Sequence, residues 1–422
     1  MHLLILGAGF TGLSAALRLL QKGHQVTIFE KEDSFGGLAG GFKLPNWDWT
    51  LEKAYHHWFT NDDSVLNLAQ ELNYPVIIKR PQTNVYINGE VLALDSPLAL
   101  LKFPYLSFLD RLRAGLVLFY LRSTNNYSQF ENIHALPWLK KYMGEDITKK
   151  IWEPLFTGKF GEYKNEITLS WFWARIKKRT PSLAYPEGGF KSFADRVAQE
   201  VKNLGGKIFL NMEVAELGQE AGKVYIKAQG KKYLFDKAIS TLPSPIFTKI
   251  TRGLPSDYIE RVSKIPHLHA LNLILILDKP FMGGTYWLNI SDSNFPYLVL
   301  AEHTNFMDSK HYGNQHILYI GNYLPSNHPY LKMKGSELLK IFDPYLKKIN
   351  PTYDGSLLSY QLFAAPFAQP VVTPNYSKLI PTFKSPLPNV YVANMDMVYP
   401  WDRGTNYAVK MGEEIARLVD QN

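Results

Sequence analysis

The chain contains no cysteine. That excludes a disulfide framework, a zinc ribbon, a thiolate-held iron–sulfur cluster, a catalytic thiol and a thioether-linked cofactor. A reducing compartment fits, so a cytoplasmic location is expected. Long apolar runs are also missing: the longest, Gly115 to Leu121, falls far short of the roughly 18 residues a membrane span needs. The N-terminus opens Met1-His2 with no cationic leader, and Gly7 and Gly9 interrupt its apolar run, which reads as a buried strand rather than a signal peptide. No nucleophile elbow, phosphate-binding lysine loop or nucleic-acid module is visible. His267 and His269 would share a strand face, yet neither a third histidine nor a partnered carboxylate is evident, so no metal site is expected.

What is present is a chain of 422 residues, 46% hydrophobic and 14% aromatic, with 46 Lys+Arg against 38 Asp+Glu. At roughly 100 to 200 residues per domain that predicts two or three domains with ample core. The net charge of +8 is spread over short runs such as Lys140-Lys141, Lys149-Lys150 and Lys177-Lys178-Arg179. These read first as a solvated basic face and second as a surface for an anionic substrate or lipid.

His2 to Leu6 is a short apolar run, followed at once by Gly7-Ala8-Gly9-Phe10-Thr11-Gly12 and then Leu13 to Leu20 at helical spacing. The order is strand, tight glycine turn, helix. Gln25 to Phe29 makes a second strand, and Glu30 at its end lies 18 residues after Gly12. This is the βαβ dinucleotide fingerprint with its acidic residue in place. Gly7 turns the chain, Gly9 lets a pyrophosphate approach the backbone, and Gly12 lets the helix lie close on the strand. The phosphates then sit at the helix N-terminus, where unpaired N–H groups and the dipole favour anions. Glu30 is expected to accept hydrogen bonds from a ribose. The fingerprint alone does not separate NAD from FAD.

Six residues after Glu30 comes Gly36-Gly37, continued by Leu38-Ala39-Gly40-Gly41. Here the sequence resembles the flavoprotein family of amine oxidases, protoporphyrinogen oxidases and phytoene desaturases, in which such a Gly-Gly motif touches FAD. The family's usual arginine after the pair is Leu38 here. The resemblance implies FAD as cofactor, with Gly7, Gly9, Gly12, Glu30, Lys31, Gly36, Gly37 and Leu38 along it. Tyr185-Pro186-Glu187-Gly188-Gly189-Phe190, the helical stretch after it and the run to Val214 resemble the family's return to the FAD domain, which implies that Val214 holds the adenine end. Near the C-terminus a strand at Asn389 to Ala393 precedes Arg403-Gly404-Thr405-Asn406 and an amphipathic helix. The resemblance implies that Gly404, Thr405 and Asn406 lie at the flavin pyrimidine, and leaves Asp396 or Asp402 as substitutes for the family's acidic ribityl or phosphate contact. Trp152 to Gly161 looks like the protoporphyrinogen-oxidase-like branch.

The expected fold is therefore α/β: a Rossmann-like FAD-binding domain of the GR2 type with an inserted α+β substrate domain. Its FAD-binding part is expected in residues 1–72, 186–252 and 386–422, and its substrate part in 73–185 and 253–385.

Leu51 to Asp62 is similar to a stretch of UDP-galactopyranose mutases in which a histidine followed by aromatics lies against the flavin. His56 takes that histidine's position; His56 and His57 are the catalytic candidates, with a packed pair as the plainer reading. Substrate contacts are expected from Tyr55, Arg175, Tyr399 and Trp401, Arg175 and its basic neighbours offering charge to an anionic group. In amine oxidases a strand ending in Pro-Phe carries a lysine that reaches flavin N5 through water; the matching position is Asn272. Ser96 to Arg122 is a cationic amphipathic stretch, read first as a helix pair buried under the pocket and second as a peripheral lipid contact on the inner membrane surface.

The expected activity is that of an FAD-dependent oxidoreductase taking a hydride from a carbon substrate to flavin N5, protoporphyrinogen oxidase-like. The substrate is a small molecule, hydrophobic or anionic, with O2 or a quinone as acceptor; no nucleic acid and no metal are expected. A nucleotide-sugar mutase, an amine oxidase and a flavin-binding protein without catalysis stay open alternatives. Neither the substrate nor the oligomeric state is legible.

Overall fold

The computed structural model describes residues 1–421. Its first layer is a five-stranded parallel sheet of β1 (His2–Leu6), β2 (Gln25–Phe29), β3 (Lys207–Phe209), β4 (Lys237–Ser240) and β5 (Val390–Val392), in the order β3-β2-β1-β4-β5. Leu3 lies opposite both Val26 and Lys237, so the first strand sits at the centre, hydrogen-bonded on both edges. Alternation along β1 sends side chains to two different cores. Leu3 and Ile5 pack among the helices α1 (Phe10–Gln21), α2 (Phe190–Asn203) and α3 (Thr405–Gln421). Leu4 and Leu6 join Leu217, Val224, Ile226 and Phe235 of a three-stranded antiparallel sheet covering the other face. The layer is thus assembled from three separate stretches of chain. Gly412 of α3 lets two helices meet: a Cβ there would stand 2.5 Å from the Thr11 carbonyl oxygen of α1.

The second sheet has seven strands, in the order Leu357–Pro370, His267–Leu277, His316–Leu324, Val299–Glu302, Thr285–Ile290, Gln82–Ile87 and Glu90–Ala93. All its pairings are antiparallel except that of Thr285–Ile290 with Gln82–Ile87. Ile274 and Ile276 point into the first core, while Leu273 and Leu275 point to a core roofed by the helix Gly335–Ile349. Two neighbours along one strand therefore bind this sheet to both sides.

A helical lobe spans Pro97 to Lys178, with Leu136, Phe156, Phe160, Trp171 and Phe172 at its centre. The helix Phe108–Ser123 starts at a capping Ser107, whose Oγ accepts from the Asp110 amide, yet only Ala114 and Leu121 of its sixteen residues are buried. The helix pair expected under the pocket is therefore not buried: Leu109 is 75% and Phe119 71% exposed. Nothing long and apolar enough to cross a membrane occurs among the helices of the described residues.

Candidate active site

Backbone geometry builds the turn after β1. Gly7 has φ +102° and its amide donates to the Phe29 carbonyl at 2.8 Å. A Cβ on Gly12 would stand 2.0 Å from the Gly7 carbonyl oxygen, so helix and strand touch only because Gly12 has none. Gly9 caps α1 in an extended conformation, and no side chain claims the first amides of the helix. Those donors have no partner within the helix and face the turn's mouth. Gly36 (φ +105°) and Gly37 (φ +57°) lie across from it: the Gly36 amide donates to Ala8 at 3.0 Å, and a Cβ on Gly37 would come within 3.2 Å of the Gly9 Cα. Two glycine backbones thus form one cleft.

Glu30 is buried beside this cleft. Its Oε2 accepts from the Ala8 amide at 2.7 Å and its Oε1 from the Glu32 amide at 2.9 Å, which leaves lone pairs on both oxygens for ribose hydroxyls. Lys31 points to solvent and pairs with Glu32 at 3.2 Å. Val214 is drawn to the end of β2 because the Asn211 and Met212 amides donate to the Glu32 and Glu30 carbonyls. Its strand bulges directly after it.

At the start of α3 only Gly404 faces open space. Thr405 and Asn406 turn inward: Trp58 Nε1 donates to Thr405 Oγ1 at 2.6 Å, and Asn406 Oδ1 accepts from the Val65 amide at 3.2 Å. Their side chains anchor the helix, and only its backbone is left to meet a ligand. Asp396 is likewise taken: His267 Nε2 donates to Oδ1 at 2.6 Å and Ser244 donates to Oδ2. This corrects two expectations. Asp396 holds protein rather than presenting a free carboxylate, and His267 does have a carboxylate partner, one that tertiary folding brings from 129 residues away. No cluster of three or more metal-ligating side chains occurs among the described residues.

A cavity opens beside Leu38, lined by Tyr55, His56, Asn272, Tyr323 and Arg403 among others. His56 Nδ1 donates to the Ala54 carbonyl at 2.7 Å, which leaves Nε2 as an acceptor; burial pushes its pKa down to about 4, so the ring is neutral at pH 7. His57 is packed instead, its Nδ1 at 3.1 Å from the Tyr286 hydroxyl and its ring among Phe59, Tyr286 and Trp287. Burial holds His57 at about 3. Neither ring changes charge near neutrality, so a proton switch there is not what this geometry offers. Asn272 is buried and lines the same cavity.

A second cavity adjoins across Arg403, lined by Trp171, Gln369, Trp401 and Asp402. Arg175 does not line it but pairs with Asp402, Nη1 3.6 Å from Oδ2, and Lys159 Nζ approaches the same oxygen at 3.5 Å. Arg403 donates to Gln369 at 2.9 Å and to the Tyr323 hydroxyl. Trp401 lines this cavity, but Tyr399 does not. It packs on Tyr127 and Tyr376 with its hydroxyl toward Ser170, because the turn between them faces the helical lobe. Lys159, Tyr323 and Gln369 escape sequence reading, and Arg403 enters it only as the residue before the C-terminal helix. The one local signal is Lys159, a lone cation between Phe156 and Phe160.

A Rossmann-type turn, an acid-ended second strand and a glycine-paired cleft define a dinucleotide-binding α/β protein. The family of "Flavin containing amine oxidoreductase" matches residues 10–420, and the chain belongs to that family. It is an FAD-dependent oxidoreductase. The 15-cis-phytoene desaturase of Synechococcus elongatus is 21% identical over 468 aligned positions, covering 99% of this chain and 96% of that enzyme. The 4,4'-diapophytoene desaturase of Staphylococcus haemolyticus is 58% identical, but over 43 residues, which cover 10% of this chain and 9% of that one. A further curated desaturase is matched over 37% of its length. Among solved structures, reduced UDP-galactopyranose mutase superposes with a TM-score of 0.77 at 16% identity, covering 99% of this chain and 95% of that chain. That likeness is one of fold. The residues here fit FAD: the first amides of α1 are unclaimed by any side-chain cap, Gly9 leaves the cleft between the two glycine backbones free of a side chain, and Glu30 keeps free lone pairs.

Proposed function

We propose that the protein dehydrogenates a carbon substrate, in the manner of a protoporphyrinogen oxidase. Bound FAD supplies a hydride acceptor at N5. The observation that carries this reading is Asn272: a buried neutral amide lines the cavity where amine oxidases carry a lysine. The chain's own part is orientation and charge. The N-terminus of α3, open at Gly404, favours negative charge. Neutral His56 offers Nε2 to the cavity as a hydrogen-bond acceptor. We assign FAD binding to residues 1–72, 186–252 and 386–422 and pocket building to 73–185 and 253–385. O2 or a quinone closes the cycle.

The test is anaerobic mixing of FAD-loaded protein with candidate substrates, alone and after dithionite. Bleaching of the flavin band by substrate alone supports dehydrogenation. A product formed only on the pre-reduced protein, with no bleaching, would instead support the nucleotide-sugar mutase reading, favoured by His56 at the cavity wall.

The exposed helix Phe108–Ser123 supports peripheral docking on anionic lipid. Phe108, Leu109, Leu112, Leu116 and Phe119 are exposed at helical spacing, next to Lys102, Arg113 and Lys141. Charge complementarity selects an anionic membrane face. Vesicles of phosphatidylglycerol should carry the protein upward in a density gradient, and Leu109→Ser with Phe119→Ser should abolish that. A wild-type protein left at the bottom refutes the docking.

A further inference from the structure

We propose that the cavity between Trp171, Asp402 and Arg403 binds an oxyanion of the substrate, a carboxylate or phosphate group. The inference rests on the reading above, that this cavity lies on the substrate side of the flavin site. Charge count is the first argument. Three cationic side chains, those of Lys159, Arg175 and Arg403, surround one carboxylate, that of Asp402. Both ion pairs to Asp402 are long, at 3.5 and 3.6 Å, and end on the same oxygen. Its other oxygen accepts from the Arg403 amide at 3.1 Å. The Arg403 guanidinium is itself spent on two neutral groups, Gln369 and Tyr323. Positive charge is therefore gathered here in excess, in a place where uncompensated charge is costly. Burial pushes Lys159 down to about 7 against the pull of Asp402, with Arg175 and Arg403 adding to the shift.

Trp171 supplies an independent argument. Its Nε1 is buried and has no hydrogen-bond partner, although an indole N–H can only donate. The same ring lines the cavity and carries Lys159 Nζ 5.0 Å and Arg175 Cζ 5.7 Å from its centroid. An oxyanion here would meet an indole donor that the protein leaves without an acceptor, beside two cations that share one carboxylate oxygen.

Inorganic pyrophosphate and, separately, succinate would be titrated into FAD-loaded protein at constant ionic strength, with binding read by calorimetry and by the flavin difference spectrum. Saturable binding of either anion is expected, weakened about tenfold or more by Arg175→Met or Lys159→Met. Trp171→Phe keeps a six-membered aromatic ring while losing the pyrrole ring and its N–H donor, so at full FAD content it should weaken binding severalfold even where a cation variant folds poorly. Tighter pyrophosphate binding assigns a phosphorylated substrate, and tighter succinate binding a carboxylate. No saturable binding of either, or equal affinity in wild type and Trp171→Phe, overturns the inference. Anion binding to a protein whose flavin no substrate bleaches would leave this site standing and remove the dehydrogenase reading alone.

Discussion

Gly9 and Gly12 stand three residues apart in one turn, yet the structure separates what each does. Replacing Gly9 by Ala adds a methyl 3.7 Å from the Gly37 Cα, an ordinary contact, at φ −73° and ψ 176°, which any residue adopts. Alanine is a poorer helix cap than glycine by about 1 kcal/mol, and it recovers about 0.4–1 kcal/mol by restricting the unfolded chain. The cofactor-free protein should therefore melt within about 2 °C of wild type. The methyl nevertheless occupies the cleft expected to hold the pyrophosphate of FAD against the amides of α1. Losing one or two charge-assisted hydrogen bonds costs about 3 kcal/mol, about a hundredfold in Kd for FAD. Gly12→Ala behaves oppositely. Its methyl would sit 2.0 Å from the Gly7 carbonyl oxygen, so helix and strand must part, at about 3 kcal/mol or more of stability whether or not FAD is present. Thermal melts of the stripped proteins and fluorescence titration with FAD separate the two. Full FAD affinity in Gly9→Ala would mean that the diphosphate lies elsewhere, and a stripped Gly12→Ala protein as stable as wild type would refute the close-contact argument.

Two further outcomes follow from buried polar pairs. Burial pushes Glu52 up to about 7 although the Phe190 amide and the Tyr185 hydroxyl donate to it. Its folded pKa lies above the ordinary value of 4.5, so the stability this group contributes is present in full below that value and is lost as pH rises through about 7, about 3 kcal/mol in all. Glu52→Gln should flatten that part of the stability–pH curve measured by urea unfolding, and parallel curves would sink the argument. Thr405→Val leaves Trp58 Nε1 buried without an acceptor and should cost about 1–3 kcal/mol, and a double-mutant cycle with Trp58→Phe should return a coupling of about that size. If the two substitutions simply add, the hydrogen bond is not what anchors α3.

The sequence by itself determined the parts of this protein that depend on near neighbours. Gly7, Gly9 and Gly12 act through backbone sterics within a few residues, and Glu30 follows from where a strand of five residues must end. Strand, turn, helix, strand and the amphipathic C-terminal helix are legible for that reason, and with them the flavoprotein family. Tertiary structure decided everything that depends on burial and on partners far along the chain. It made His56 a cavity wall and His57 packing, although the two are adjacent and chemically identical. Lys159, Arg175 and Arg403 meet Asp402 across up to 243 residues, and His267 meets Asp396 across 129. It also left Phe108–Ser123 uncovered, since an apolar helix face looks the same in sequence whether protein or solvent lies against it. Local geometry is written in adjacent residues; charge compensation and exposure belong to surfaces that exist only once distant segments have met.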